Sequence, residues 1–215
     1  MITPAYVRTM AAYNAEMNKR LYDAAGRLSD AERQRDRGAF WHSIHGTLVH
    51  ILWGDGQWMS RFDGWQRPAT PIKESDRFIQ DWAELCGARE KADADIARWA
   101  RNVDEKWLDA DLTWFSGAAN REVTAPKRLL VAHFFNHQTH HRGQAHTLLT
   151  VAGNRPATPI CFSSCRKCSP SPFALAPAAE NERGSGISFL TPVVIGSPGR
   201  IRTIDPAVNS RLLYH

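Results

Sequence analysis

The chain has 215 residues, which allow one ordinary domain with an appendage or two small domains, and its 43% hydrophobic content suffices for a core. Residues 161–215 hold +3 of the net charge of +5, so no basic stripe indicates nucleic-acid binding. No apolar run of about 18 residues could span a membrane, and the N-terminus lacks a secretory signal. We therefore expect a cytoplasmic protein that binds neither nucleic acid nor membranes.

Hydrophobic spacing predicts four long helices in the first three quarters of the chain. The four apolar stripes cover residues 6–24, 41–62, 78–99 and 130–152. We expect Ser75 to cap the third helix. The fourth helix is expected to begin near Thr124 and to end at Gly153, with Pro126 tolerated in its first turn.

The helical pattern breaks between Asn102 and Thr124. The segments DLTWFS and REVT in this region are either short strands or an ordered loop, and the connection is longer than usual between bundle helices. Such a crossover often covers a site. The sequence thus predicts an all-α four-helix bundle with a long crossover connection.

The fourth predicted helix is unusually rich in histidine. Its segment HFFNHQTHHRGQ, residues 133–144, holds four of the nine histidines. His137 and His141 fall on the apolar stripe, and their i, i+4 spacing places the two side chains about 6 Å apart on one face. His133 borders this stripe, whereas His140 points away from it.

A buried imidazole without a partner costs about 1–3 kcal/mol, so His137 and His141 are either hydrogen-bonded core residues or metal ligands. Their shared place on the core stripe favours the metal. Gln138 stands where zinc proteases with an HExxH motif carry their glutamate, which disfavours that chemistry. Two ligands are too few for a stable site, so a third must come from another helix.

The candidates for a third ligand are His42, His45 and His50 in the second predicted helix. His45 and His50 point about 140° apart, so at most one of them can face a given ion. Gly46 and Gly54, four residues on either side of His50, leave space that a metal and its ligand would need. The apolar pattern surrounds most of this helix and does not choose among the three histidines.

Three segments, YNAEMNKRLY, SIHGTLVHILWGDGQWMSRF and HFFNHQTHHRGQAHTLLTVAG, resemble the DinB family of four-helix metal-binding proteins over about residues 1–156. The pattern HILWGDxxW followed by NHxTHHRGQ is the specific part of this resemblance. In that family one histidine of the second helix and the two histidines of an HxxxH on the last helix hold the metal. The resemblance therefore implies His50, His137 and His141 as ligands.

The resemblance also implies one divalent ion, zinc or nickel, and a homodimer. Relatives of the family include enzymes that use low-molecular-weight thiols, so we expect a metal-dependent transferase or hydrolase that acts on a small molecule, with a thiol as co-substrate. The alternative is a non-catalytic, stress-associated metal-binding scaffold. A general base would favour an enzyme, but Asp55, the nearby carboxylate of the second helix, points about 140° from His50. Four polar residues either face a substrate or are ordinary hydrogen-bonding residues of the bundle: Asn14, Asn18, Gln57 and Gln144.

The composition changes after Pro156. Residues 157–215 lack tryptophan and sustained periodicity, and we interpret them as a low-order tail that departs from the family, as an altered reading frame would produce. The tail contains a CxxxCxxC pattern at Cys161, Cys165 and Cys168, but a fourth ligand at suitable spacing is missing. We expect domains at 1–156 and 157–215, with truncation after Pro159 leaving the helical body intact.

Overall fold

The computed structural model describes residues 2–117, 119–154 and 156. The predicted tail, with its three cysteines, lies outside these residues. The elements are, in chain order, α1 Pro4–Gly26, α2 Asp30–Gln34, α3 Ile44–Phe62, a 3-10 turn Ile72–Glu74, α4 Trp82–Asn102, α5 Glu105–Asp109, β1 Asp111–Ser116, β2 Arg121–Pro126 and α6 Lys127–Val151.

The four long helices form a bundle in which α1 and α3 each pack against both α4 and α6. This confirms the predicted mostly helical fold. Within the described part of the chain, no helix is both long enough and apolar enough to cross a membrane.

The long crossover between α4 and α6 forms a helical turn and a hairpin, so the strand alternative was the right one. β1 and β2 pair antiparallel, with Asp111 opposite Pro126 and Ser116 opposite Arg121. The backbone amide of Lys127 donates to the carbonyl of Ala110 at 3.1 Å. This bond closes the hairpin at the first residue of α6. The prediction that the fourth helix begins near Thr124 with Pro126 in its first turn is therefore wrong, because both residues lie in β2 and α6 begins at Lys127.

Side-chain caps set the start of the other long helices. The Thr3 hydroxyl accepts from the amide of Tyr6 at 3.1 Å before α1, and Ser43 accepts from Gly46 at 2.9 Å before α3. Asp81 accepts from Glu84 at 2.7 Å before α4.

These caps correct two predicted boundaries. The prediction that Ser75 caps the third helix is wrong, because Asp81 is the residue that accepts the first-turn amide of α4. The second apolar stripe starts at Trp41, but α3 begins only at Ile44. Trp41 lies in a turn before the helix, where His42 adopts a left-handed backbone with φ of 61°.

The bundle interior has two apolar clusters. One is built around Met59, Trp99 and Phe134, and the other around Leu48 and Leu149. Along α1 and α6, buried polar side chains occupy the sequence between the residues of the two clusters: Asn14, Asn18, His137, Gln138, His141 and Arg142. Two of the predicted metal ligands, His137 and His141, belong to this group of buried polar side chains.

Candidate metal centre

The structure brings three buried histidines together between α3 and α6. His50 comes from α3, and His137 and His141 come from successive turns of α6. One ring nitrogen of each lies within 4.8 Å of the corresponding nitrogens of the other two. The ring centroids are 5.3 Å apart for His50 and His137, 4.6 Å for His50 and His141, and 4.5 Å for His137 and His141. The group, hereafter the histidine triad, could therefore hold a metal ion.

A hydrogen bond orients the ring of His50. Its Nδ1 lies 2.7 Å from the hydroxyl oxygen of Ser75, and that hydroxyl donates its own proton to the carbonyl of Ile72 at 2.6 Å. The Ser75 oxygen must therefore accept from Nδ1–H, which leaves the lone pair on Nε2. This Nε2 atom is buried and has no hydrogen-bond partner among the described residues. An orphaned acceptor at this position fits a metal ligand.

His141 is oriented in the same way. Its Nδ1 donates to the side-chain carbonyl of Gln144 at 2.7 Å, which leaves its Nε2 as the acceptor nitrogen. Gln144 is therefore a partner of a triad histidine. In metal sites the second ring nitrogen of a ligand histidine is usually held by such a bond.

The surroundings of the triad keep its rings neutral. Burial lowers the pKa of His50 to about 2, with the nearby His141 as a second cause, and it lowers the pKa of His141 to about 4. Burial, followed by the four neighbouring histidines 141, 50, 133 and 140, holds the pKa of His137 well below its usual value. Since metals bind the neutral imidazole, all three rings are in the protonation state that binds metal at neutral pH.

Aromatic rings and a glycine shape the space around the triad. Trp41 stacks on His50 with centroids 3.9 Å apart and planes 21° apart. A Cβ at Gly54 would lie 2.5 Å from Cε1 of His137, so only glycine lets this ring pack against α3. The space predicted at Gly46 is instead filled by backbone, because a Cβ there would lie 2.5 Å from the carbonyl oxygen of Trp41.

The remaining histidines of the bundle lie outside the triad. The Nε2 of His45 is 2.9 Å from the carbonyl of Ile79, and His140 faces the amide of Gln144 at 3.2 Å. The ring of His133 lies 6.1 Å from that of His137 and packs edge-on against Trp58 at 5.2 Å. His133 thus borders the triad, as its place beside the stripe predicts.

Asp55 is not available as a base for the triad, because it belongs to a buried ion-pair network. Its Oδ2 accepts from Arg89 of α4 at 2.6 Å, and its Oδ1 accepts from Gln138 of α6 at 2.6 Å. Arg89 also pairs with Asp93 at 2.8 Å, and Asn18 of α1 donates to Asp93 at 2.9 Å. This network, hereafter the Asp55 network, links all four long helices.

Two of the residues predicted to face a substrate instead make hydrogen bonds in or beside the Asp55 network. Asn18 is a member of the network, and Asn14 accepts from Arg142 at 2.5 Å. Both asparagines are 1% exposed, so they hold the bundle together and face no substrate. Gln57 has a different position, since it lines a cleft.

The cleft, of about 650 Å³, lies beside the triad and reaches it at His137 and Gly54. The hairpin contributes Trp114 and Ser116 to its wall, so the crossover does border the site. His50 and His141 do not line it. A small molecule in this cleft would meet the triad through the His137 side.

Comparison with known protein families gives a match that covers most of the chain. The model of the DinB family matches residues 1–160. No curated protein matches the chain. The matched range includes all three triad histidines, Ser75 and the cleft.

Proposed function

Since this chain belongs to the DinB family, we propose that His50, His137 and His141 bind one divalent metal ion. The observation that carries this proposal is the buried Nε2 of His50, which has no hydrogen-bond partner among the described residues and faces two further imidazoles. Three imidazole ligands suit zinc or nickel, and we expect one such ion per chain. Ser75 and Gln144 would hold two of the ligand rings in place.

We further propose that the protein is a metal-dependent transferase or hydrolase acting on a small molecule, with a low-molecular-weight thiol as the co-substrate. When bound, a divalent ion with three protein ligands lowers the pKa of a water or thiol at an open coordination position. The cleft beside His137 is of a size that takes a small organic molecule.

One observation favours the alternative, a non-catalytic metal-binding scaffold. No Asp or Glu is among the described residues that line the cleft, and Asp55 is already bonded through both oxygens. A reaction that needs a protein carboxylate as general base is therefore disfavoured. A thiol transfer does not need that base when the thiol itself ionises near neutral pH.

The metal proposal is tested by metal analysis of the purified protein and of single alanine variants. We expect about one ion per chain in the wild type and much less in His50→Ala, His137→Ala and His141→Ala, because two imidazoles hold an ion weakly. The controls are His45→Ala, His140→Ala and His146→Ala, which should retain the metal. Unchanged metal content in His137→Ala and His141→Ala would overturn the assignment.

The enzyme proposal is tested by a screen of the metal-loaded protein with pairs of thiols and electrophiles. We expect thiol consumption that the wild type catalyses and the His137→Ala variant does not. Metal binding without turnover of any pair, or of any ester or amide offered alone, would favour the scaffold.

We also propose a homodimer, as the resemblance implies. Light scattering of the full chain should give twice the mass of one chain. A mass of one chain at working concentration would contradict this proposal without affecting the metal site.

A further inference from the structure

Two arginines in the wall of the cleft beside His137 are tied to a single glutamine. Nη1 of Arg61 donates to the backbone carbonyl of Gln57 at 2.9 Å, and Nε of Arg67 donates to the side-chain carbonyl of Gln57 at 2.9 Å. Gln57 is 6% exposed, and its own amide donates to the carbonyl of Pro68 at 3.1 Å. The buried glutamine therefore fixes both guanidinium groups on one side of the cleft.

Neither arginine has a carboxylate partner in the described part of the chain. Asp63, close in sequence to Arg61, instead accepts from the indole of Trp65 at 3.1 Å and lies 3.9 Å from Arg98. Burial and the nearby charge of Arg67 lower the pKa of Arg61 to about 10, so the guanidinium of Arg61 remains charged at neutral pH. Two like charges held together without an acid give this part of the cleft a positive potential.

The same wall is aromatic. The guanidinium carbon of Arg61 lies 4.9 Å from the ring centre of Trp58 and 5.8 Å from that of Trp114. Trp53 also lines the cleft, with its indole N–H held by the carbonyl of Thr70 at 2.8 Å. Stacking on Trp58 and Trp114 orients Arg61 and leaves apolar ring surface beside two cations.

We propose that this cleft binds a small organic anion, with its carboxylate or phosphate on Arg61 and Arg67 and its apolar part against the tryptophans. The planar guanidinium suits both kinds of anion, because it can donate two parallel hydrogen bonds. The inference rests on the proposed function, since it names the substrate class for the site beside His137. It concerns residues that do not belong to the histidine triad.

The test uses three probes of similar shape and different charge: 1-naphthoate, 1-naphthyl phosphate and the neutral 1-naphthamide. Calorimetric titration of the full chain should show that at least one anion binds roughly tenfold or more tightly than the amide, as charge-assisted hydrogen bonds require. That preference should weaken as salt is added. The better of the two anions distinguishes a carboxylate substrate from a phosphate substrate.

Arg67→Met is the main variant, because the Arg67 side chain is exposed and its removal should not disturb folding. We expect its anion affinity to fall to near that of the amide, and Arg61→Met to give the same result. Arg8→Met is the matched control, since Arg8 is exposed on α1 and does not line the cleft. Thermal unfolding of each variant verifies that the fold is retained.

The same titrations on chelator-treated protein separate this inference from the proposed function. Anion binding that persists without metal and depends on Arg67 supports the cleft assignment even if metal analysis finds no ion. Equal affinities for naphthoate, naphthyl phosphate and naphthamide would overturn it, as would an anion preference that survives in both arginine variants. Failure of both anions to bind at millimolar concentration would also overturn it.

Discussion

The histidine triad and the Asp55 network are both buried polar groups that join α3 to α6, yet they differ in how their polar atoms are used. Both oxygens of Asp55 accept hydrogen bonds, one from Arg89 and one from Gln138. In the triad the bond to Ser75 uses Nδ1 of His50, while Nε2 has no partner in the described part of the chain. A place on the core face thus does not identify a ligand; the convergence of three imidazole nitrogens within 4.8 Å of one another, with the buried Nε2 of His50 left unpartnered, does.

The largest difference between the histidine triad and the Asp55 network should appear in the way the stability of the metal-free protein depends on pH. Burial lowers the pKa of His50 to about 2 and of His141 to about 4, and it holds that of His137 well below normal. The folded rings therefore stay neutral while the unfolded chain takes up protons below its pKa of about 6.5. The contribution of the triad to the free energy of unfolding should be constant above that pH and should fall by up to about 1.4 kcal/mol per pH unit for each ring below it, down to the folded pKa values.

Urea unfolding between pH 7.5 and 4.5 measures this slope. The control replaces all three triad histidines by glutamine, which cannot be protonated in this range. This variant should lose stability less steeply with falling pH. Equal slopes for the wild type and the triple variant would show that the triad rings are protonated in the folded protein.

The next largest effect should come from breaking the Asp55 network. Asp55→Ala leaves the guanidinium of Arg89, 2% exposed, without one of its two carboxylates, and unpairing a buried charge costs about 3–5 kcal/mol. His50→Gln in the metal-free protein removes a neutral ring but keeps a side chain in its place, so it creates less of a cavity and should cost less. Urea unfolding at pH 7.5 compares the two variants. Equal losses would contradict the distinction between a structural network and a ligand site.

The sequence could predict the fold and part of the site because these depend on local spacing. His137 and His141 are four residues apart on one helix, so periodicity alone puts them on a common face. The choice of His50 over His45 needed the family resemblance, because α3 is buried almost all round. The sequence shows Gln138 only as a departure from the glutamate that zinc proteases use as general base, whereas in the structure its amide belongs to the Asp55 network.

The partners of the site residues were beyond the sequence for a physical reason. Ser75 is 25 residues from His50, and its hydroxyl reaches Nδ1 because of the path of an irregular connection. Trp41, which stacks on His50, lies in the turn before α3, next to the left-handed backbone at His42. Arg89 is 34 residues from Asp55 on another helix. Helical periodicity carries no information about such contacts.

A smaller effect is expected from filling the space that Gly54 leaves for His137. In Gly54→Ala the new Cβ would lie 2.5 Å from Cε1 of His137, so the ring must move. Overpacking of this kind costs about 1–3 kcal/mol, and the displaced ligand should weaken metal binding. Gly87→Ala is the control, because this exposed helical glycine has nothing within 4 Å of a built Cβ. It should raise stability slightly and leave metal affinity unchanged.

Chelator competition and thermal unfolding measure both consequences in each glycine variant. A metal affinity of Gly54→Ala equal to that of the wild type would show that His137 does not need its present position to bind the ion. It would leave His50 and His141 as the better-supported ligands.

The smallest effect should come from removing the hydroxyl that orients His50, since this change leaves all three ligands in place. Ser75→Ala frees the ring to rotate and leaves its Nδ1–H without an acceptor, and loss of such a partner typically lowers metal affinity about 10- to 100-fold. Ser60→Ala is the matched control, because the Ser60 hydroxyl donates to the carbonyl of Gln57 at 2.9 Å and touches no triad ring. Chelator competition should therefore separate the two serine variants. If both bind metal as tightly as the wild type, the bond from Nδ1 to Ser75 does not position His50 as a ligand.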